Sequence, residues 1–121
     1  MLYTVILKDN KDFRNLYRNG KYIPSKYSVI YIKPNKRPYN RFGITAGRKI
    51  GNAVCRNRAK RLIRLAYQQS EINLPVGIDI VVVARSGILG IKSDEYCSYF
   101  STYGVKEINK EIRKFTGKSR K

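Results

Sequence analysis

The chain of 121 residues carries 26 lysine and arginine residues, 8 aspartate and glutamate residues and no histidine, so its net charge is +18 at neutral pH. This length is typical of one domain, and a hydrophobic content of 42% excludes wholesale disorder. Without histidine, Ser-His-Asp catalysis, Cys-His catalysis and histidine metal sites are excluded. A charge this large opposes folding by self-repulsion unless a polyanion neutralises it, which points to nucleic acid.

The first predicted element is a helix over residues 9–19. Phe13, Leu16 and Tyr17 recur there at helical spacing, and Gly20 directly follows the last residue. A short edge strand over 21–23 comes next and ends at Pro24, because proline cannot donate a hydrogen bond to a neighbouring strand.

Two further strands are predicted before the middle of the chain. Residues 27–33 are rich in β-branched and aromatic side chains, and residues 41–46 form the second strand. The connection over 34–40 holds two prolines and several polar residues, which indicates a basic, mobile loop. We therefore expect these two strands to form an antiparallel hairpin.

The second half of the chain begins with a turn over 47–52 and a strong helical pattern over 53–69. A buried strand over 78–84 and a loop over 86–90 follow, and a C-terminal helix is predicted from Ser93 to Phe115, with Gly104 as a candidate break. The order α-β-β-β-α-β-α predicts a single α+β domain over residues 1–115, with roughly four strands packed by about three helices. Residues 116–121 are predicted to be a basic, disordered tail.

Cysteine usage and apolar segments favour a cytoplasmic protein. Cys55 and Cys97 lie far apart and outside any C-x-x-C pattern, which favours two small buried side chains over a disulfide. The apolar N-terminus lacks the basic lead and the cleavage site of a signal peptide. The run from Ile80 to Ala84 is far too short to cross a bilayer, so we expect no membrane contact.

The helix over 53–69 has an apolar side and a basic side. On a helical wheel the apolar side collects Cys55, Ala59, Leu62, Ile63 and Ala66. The other side carries Arg56, Asn57, Lys60, Arg61 and Arg64, with Arg58 near its edge, and Arg48 and Lys49 approach the helix N-terminus. An ordinary solvated surface would intersperse acids, and none occurs between Ala53 and Ser70. The pattern therefore favours phosphate binding.

Ten tyrosines and four phenylalanines supply rings on which unpaired bases can stack. Phe13 and Tyr17 are one helical turn apart, and Tyr27, Val29 and Tyr31 alternate along a strand, which predicts that they share one face. These rings either belong to the core or line a groove. The hydroxyls of Tyr17 and Tyr31 favour the groove, since buried hydroxyls need partners.

The acids are too few for a catalytic metal site. Asp9, Asp12, Asp94 and Glu95 all fall at predicted helix starts, where a carboxylate stabilises the helix dipole. No pair stands out as a general acid and base, and no G-K-[ST] follows the glycines at 43, 47 and 51. We therefore expect neither a catalytic residue nor a metal site on this protein.

The segment from Gly51 to Arg64 reads Gly-Asn-Ala-Val-Cys-Arg-Asn-Arg-Ala-Lys-Arg-Leu-Ile-Arg. In this register it resembles the signature of the protein subunit of bacterial ribonuclease P. The resemblance extends to the aromatic residues and glycine of the first helix, the strand with Tyr31, Phe42-Gly43-Ile44, and residues 79–85. It spans roughly residues 7–90; Ala46-Gly47 departs from the Val-Ser more often found there, and 96–104 is less typical.

The resemblance implies a subunit that assists a catalytic RNA in removing the 5′ leader from precursor tRNA by Mg²⁺-dependent hydrolysis. It implies that the Mg²⁺ lies mainly on the RNA, that no obligate protein partner is needed, and that the strand–helix–strand crossover is left-handed. The implied RNA-binding residues are Arg48, Lys49, Asn52, Arg56, Asn57, Arg58, Lys60, Arg61 and Arg64. The implied leader cleft is formed by Phe13, Tyr17 and Tyr31.

Two other classes of protein share part of this pattern. A ribosomal or other structured-RNA-binding protein would share the charge, but it has no reason to reproduce the string from Gly51 to Arg64. A protein-only nuclease would need more acids or a histidine.

Overall fold

The computed structural model describes residues 2–119, with side chains to residue 115. The strands are β1 (Thr4–Ile6), β2 (Lys21–Pro24), β3 (Ser28–Pro34), β4 (Asn40–Thr45) and β5 (Ile78–Ala84). The helices are α1 (Asn10–Asn19), α2 (Ala53–Ser70), α3 (Ser93–Tyr99) and α4 (Val105–Ser119), and a π-helical turn over Phe100–Gly104 joins α3 to α4. The predicted α+β class is confirmed, with five strands rather than four.

The five strands form one mixed sheet in the order β1-β4-β5-β3-β2. β1, β4 and β5 are parallel, while β3 is antiparallel to both β5 and β2. The predicted hairpin of β3 with β4 is therefore wrong, because β5 lies between them; β3 pairs with β2 instead. Helix α2 is the crossover between the parallel neighbours β4 and β5.

The sheet buries both of its faces to different extents. On one face, α2, α3 and α4 pack over the main core, which includes Phe42, Ile80 and Ile63. On the other face, α1 covers only a part, and Leu16 packs there against Leu7 and Val81. Since β5 contributes to both clusters, its near-continuous apolar sequence follows from its central place.

The edge strand β1 is held by a buried acid. Glu71, 1% exposed, accepts hydrogen bonds from the amides of Leu2 and Tyr3 (2.7 and 3.0 Å) and from Thr4 Oγ1 (2.5 Å). Thr4 Oγ1 also lies 2.8 Å from the hydroxyl of Tyr67, whose ring stacks on Phe42. Glu71 thus fixes a strand that only three residues form.

The C-terminal helix is not broken at Gly104. The chain remains helical from Ser93 to Ser119, and Gly104 is buried at the end of the π-helical turn. The backbone of α4 continues to Ser119, past the predicted helix end at Phe115 and into the segment predicted to be a disordered tail. Arg120 and Lys121 lie outside the described residues.

Candidate nucleic-acid interface

Helix α2 is oriented by its apolar side, as its sequence predicted. Ala59, Leu62, Ile63 and Ala66 are buried and Cys55 is half-buried. The helix starts at Asn52, whose side-chain oxygen accepts a hydrogen bond from the amide of Cys55 at 3.0 Å. The side-chain oxygen of Asn52, a predicted contact residue, is therefore engaged in capping the helix.

The basic residues of α2 point in two directions, which the helical wheel did not separate. Lys60 and Arg64 line a hollow at the end of β1, together with Phe13, Gly43 and Ile44. Arg58 and Arg61 line a second hollow towards α3, together with Leu62, Leu65 and Ser93. The predicted single ridge is thus two basic rims on one helix.

The remaining predicted basic residues lie at the start of α2. Arg48 and Lys49 are exposed in a 3₁₀ turn (Arg48–Ile50) that the buried Ile50 anchors. Arg56 donates from its guanidinium to the carbonyl of Gly51 at 3.1 Å, and Asn57 is exposed. Because the first amides of a helix favour an anion, these cations add to a region that is already electropositive.

The three predicted cleft aromatics come together on the α1 face of the sheet. The ring centroids of Phe13 and Tyr17 are 6.4 Å apart, and those of Tyr17 and Tyr31 are 4.9 Å apart in an edge-on arrangement. The hydroxyl of Tyr17 lies 3.1 Å from Thr45 Oγ1, which fixes α1 against β4. Phe13 is half-buried and packs against the small core under α1.

Tyr22 is a fourth ring of this group that sequence reasoning missed. It pairs directly with Tyr31 across β2 and β3, its ring lies 6.2 Å from that of Tyr31, and it is 64% exposed. Ile23 next to it is buried in the main core, so alternation along the strand could have placed Tyr22 on the α1 face. We call Phe13, Tyr17, Tyr31 and Tyr22 the aromatic row.

Tyr27 does not lie on this face, contrary to prediction. Strand β3 begins at Ser28, and Tyr27 precedes it in a turn where Ser25 accepts a hydrogen bond from the amide of Tyr27 at 3.2 Å. Its ring packs instead against Tyr96 and Tyr99, with centroids 6.4 and 5.5 Å away. The alternation predicted from Tyr27 therefore holds only for Val29 and Tyr31.

An ion-pair network fixes α1 beside the cleft. Asp79, on β5, is buried and accepts two hydrogen bonds from the guanidinium of Arg41, at 2.8 and 2.6 Å. Arg41 also pairs with Asp12 of α1 at 3.2 Å. The pKa of Arg41 is raised, chiefly by its hydrogen bond to Asp79. This cation therefore joins β4 to β5 and to α1.

Within residues 2–115, no three cysteine or acidic side chains lie close enough together to hold a metal ion. Across the described part of the chain, every helix is too short or too polar to cross a membrane. What the geometry offers is a half-open sheet face with a row of rings, bordered by two cations of α2.

Comparison with known proteins identifies the family of this chain. A family model described as Ribonuclease P matches residues 1–113. The chain is similar to the ribonuclease P protein component of Lachnoclostridium phytofermentans (42% identity, covering 76% of this chain and 79% of that one) and to that of Clostridioides difficile (46%, covering 65% and 70%). Its fold is similar to the solved ribonuclease P protein of Staphylococcus aureus, with a TM-score of 0.74, 30% identity, and coverage of 93% and 99%. The chain therefore belongs to the bacterial ribonuclease P protein family and is the protein subunit of a ribonucleoprotein endoribonuclease that processes tRNA.

Proposed function

We propose that this subunit binds the catalytic RNA of ribonuclease P and the 5′ leader of precursor tRNA, and thereby assists endonucleolytic removal of the leader. The observation that carries the proposal is the hollow in which Phe13 lies together with Lys60 and Arg64. A single-stranded leader has phosphates for the cations and unpaired bases for the rings, so both features of the hollow find partners in one ligand.

The aromatic row extends this contact along the sheet. From Phe13 it runs through Tyr17 and Tyr31 to the exposed Tyr22. Neighbouring rings are inclined to one another at 51°, 72° and 40°, so each presents a differently oriented face or edge to a passing strand. Stacking tolerates any base, which suits a subunit that must accept many different leaders.

The catalytic RNA is assigned to the other rim of α2 and to the helix start. Arg58 and Arg61 point away from the aromatic row, towards α3. Arginine forms bidentate hydrogen bonds with phosphate, and several such contacts made from one rigid helix fix the position of a structured RNA. Arg48, Lys49, Asn52, Arg56 and Asn57 continue this surface at the N-terminal end of α2.

The described residues support a binding role rather than a chemical one. Burial raises the pKa of the Cys97 thiol, which keeps this nucleophile protonated. The acids do not fit a protein-held Mg²⁺, so we propose that the Mg²⁺ needed for hydrolysis is bound by the RNA. No further protein partner is required by this scheme.

A cleavage assay tests the proposal. Precursor tRNA is incubated at low Mg²⁺ with the catalytic RNA alone, with the protein alone and with both. We expect the mixture to release the leader faster than the RNA alone and the protein alone to be inactive. A mixture no faster than the RNA would overturn the proposal in favour of binding to some other structured RNA, and cleavage by the protein alone would indicate a protein-only nuclease.

A further inference from the structure

A second set of rings lies on the opposite side of the sheet from the aromatic row. Tyr99 and Tyr103 stack with centroids 5.7 Å apart and planes at 28°, and Tyr27 meets Tyr99 edge-on at 5.5 Å. Tyr103 ends this stack and is 44% exposed, so one face of the series is open to solvent. None of these rings takes part in the function proposed above.

The π-helical turn over Phe100–Gly104 forms the base of this arrangement. Such a turn has a wider hydrogen-bond spacing than the α-helix, is rare, and occurs frequently at functional sites. Here the buried Phe100 enters the core, while Tyr103 stacks on the outside. The π-helical turn thus carries both a buried ring, Phe100, and an exposed ring, Tyr103.

Cations flank the open ring on both sides. Lys106 and Lys110 lie three and seven residues after Tyr103, so they share its side of the helix, and both are exposed. Glu107, four residues after Tyr103 and half-buried, is the acid between them. At the other end Lys26 lies over the Tyr27 ring, with Nζ 5.1 Å from its centroid. Among residues 2–115 neither Lys106 nor Lys110 has an ion-pair partner. The acids of α3, Asp94 and Glu95, lie in its first turn, and Glu95 is one helical turn before Tyr99.

We propose that the surface formed by Lys26, Tyr27, Tyr99, Tyr103, Lys106 and Lys110, here called the Tyr103 surface, binds an unpaired segment of the catalytic RNA. One base would stack on Tyr103 while its neighbouring phosphates contact the lysines, the combination that single-stranded RNA requires. The catalytic RNA is the source rather than the leader, because α3 and α4 pack on the same sheet face as α2, whereas the aromatic row lies on the other. This inference rests on the proposed function.

The test measures the affinity of the full-length chain for the catalytic RNA over a series of salt concentrations. Tyr103→Ala should weaken binding by about 5-fold to 150-fold, whereas Tyr103→Phe, which keeps the ring, should stay within about 2-fold of wild type. The double variant K106A/K110A should flatten the slope of log affinity against log salt by about 1.4 to 1.8. As a matched control, K11A/R18A removes two exposed cations seven residues apart on α1 and should leave the RNA affinity unchanged.

Each outcome separates this inference from the proposed function. If wild type fails both to bind the RNA and to accelerate cleavage, the proposed function is wrong. If R58A/R61A weakens binding while Tyr103→Ala and K106A/K110A match wild type, only the Tyr103 surface is overturned. A loss confined to discrimination between precursor and mature tRNA would assign this surface to the leader and overturn the inference as well. Should Tyr103→Ala not fold, K106A/K110A decides alone, since it truncates only exposed side chains.

Discussion

The ring of Phe13 occupies the space that a side chain at Gly43 would need. A β-carbon built on Gly43 would lie 2.7 Å from Cζ of Phe13, closer than such carbons approach a ring. Gly43 is in β4 and Phe13 in α1, so the missing side chain lets the helix lie directly on the strand. This close approach fixes the position of a ring that we assign to leader binding.

Gly43→Ala should therefore destabilise the fold and disturb the cleft together. Forcing one carbon into this contact is expected to lower the free energy of unfolding by about 1–3 kcal/mol, because Phe13 or α1 must move. Thermal unfolding measures the first effect, and the affinity of the reconstituted enzyme for precursor tRNA measures the second.

Gly47→Ala is the matched control for this substitution. Gly47 is exposed, and a β-carbon there would meet nothing within 4 Å. Its melting temperature and its affinity for precursor tRNA should equal or slightly exceed those of wild type. A Gly43→Ala protein with wild-type melting temperature and affinity would show that Phe13 moves aside without cost.

The sequence predicted those elements whose signal is local. Helix α2 was predicted to within one residue at its C-terminal end, because its apolar residues recur at helical spacing. The strand pairing was wrong because it depends on contacts between distant residues. The run from Ile78 to Ala84 is apolar on both faces, and that signal could have placed β5 between two neighbours rather than at an edge.

Strand β1 was missed for a related reason. Three residues are too few to show a periodicity, and β1 forms because Glu71, almost seventy positions away, holds the backbone amides of Leu2 and Tyr3. The candidate site likewise combines residues that a local pattern reveals with contacts between distant segments, which it does not. Most of its basic residues were found from one helix, but the hollow that joins Lys60 to Phe13 is formed by four separate segments. The direction of each cation could not be derived without them.

Glu71 should make the stability of the fold depend on acid pH. Burial by itself raises the pKa of this carboxyl, but hydrogen bonds from Thr4 and from the amides of Leu2 and Tyr3 outweigh it, and the pKa is lowered overall. A group with a lowered folded-state pKa stabilises the protein above its unfolded value and loses that contribution as pH falls through the folded value. Glu71 therefore contributes fully at neutral pH and progressively less below about pH 4.3.

Glu71→Gln measures this contribution. At pH 7 it should lower the free energy of unfolding by about 1.5–3 kcal/mol, since hydrogen bonds to a charged group are lost. Urea unfolding at a series of pH values should show the difference between wild type and variant shrinking as the pH falls below about 4.3. A difference that stays constant down to the most acid pH would mean that ionisation of Glu71 does not contribute to the free energy of unfolding.

The two rims of α2 should be separable by mutation. R58A/R61A is expected to weaken binding of the catalytic RNA and to flatten its salt dependence by about 1.4 to 1.8, one phosphate contact for each arginine. K60A/R64A should instead lower the preference for precursor over mature tRNA, because these side chains share the hollow with Phe13. Each double variant is the control for the other, since both remove two cations from one helix. Equal effects on both quantities would contradict the division into two rims.

The aromatic row should contribute to leader binding ring by ring. Tyr22→Ala and Tyr31→Ala are each expected to weaken binding of precursor tRNA by about 5-fold to 150-fold while leaving mature tRNA unaffected, because each removes one stacking face. Tyr22→Phe should bind as wild type does, since the ring remains.

Tyr39→Ala serves as the control for a tyrosine outside the row. Its hydroxyl lies 3.2 Å from the guanidinium of Arg37, between β3 and β4. The affinities of the reconstituted enzyme for precursor and mature tRNA, measured side by side, give the result. Tyr22→Ala is more decisive than Tyr31→Ala. Tyr22 is the most exposed tyrosine of the row, so its loss should not change the melting temperature. If Tyr22→Ala weakens both ligands equally, the ring does not contact the leader, and the row ends at Tyr31.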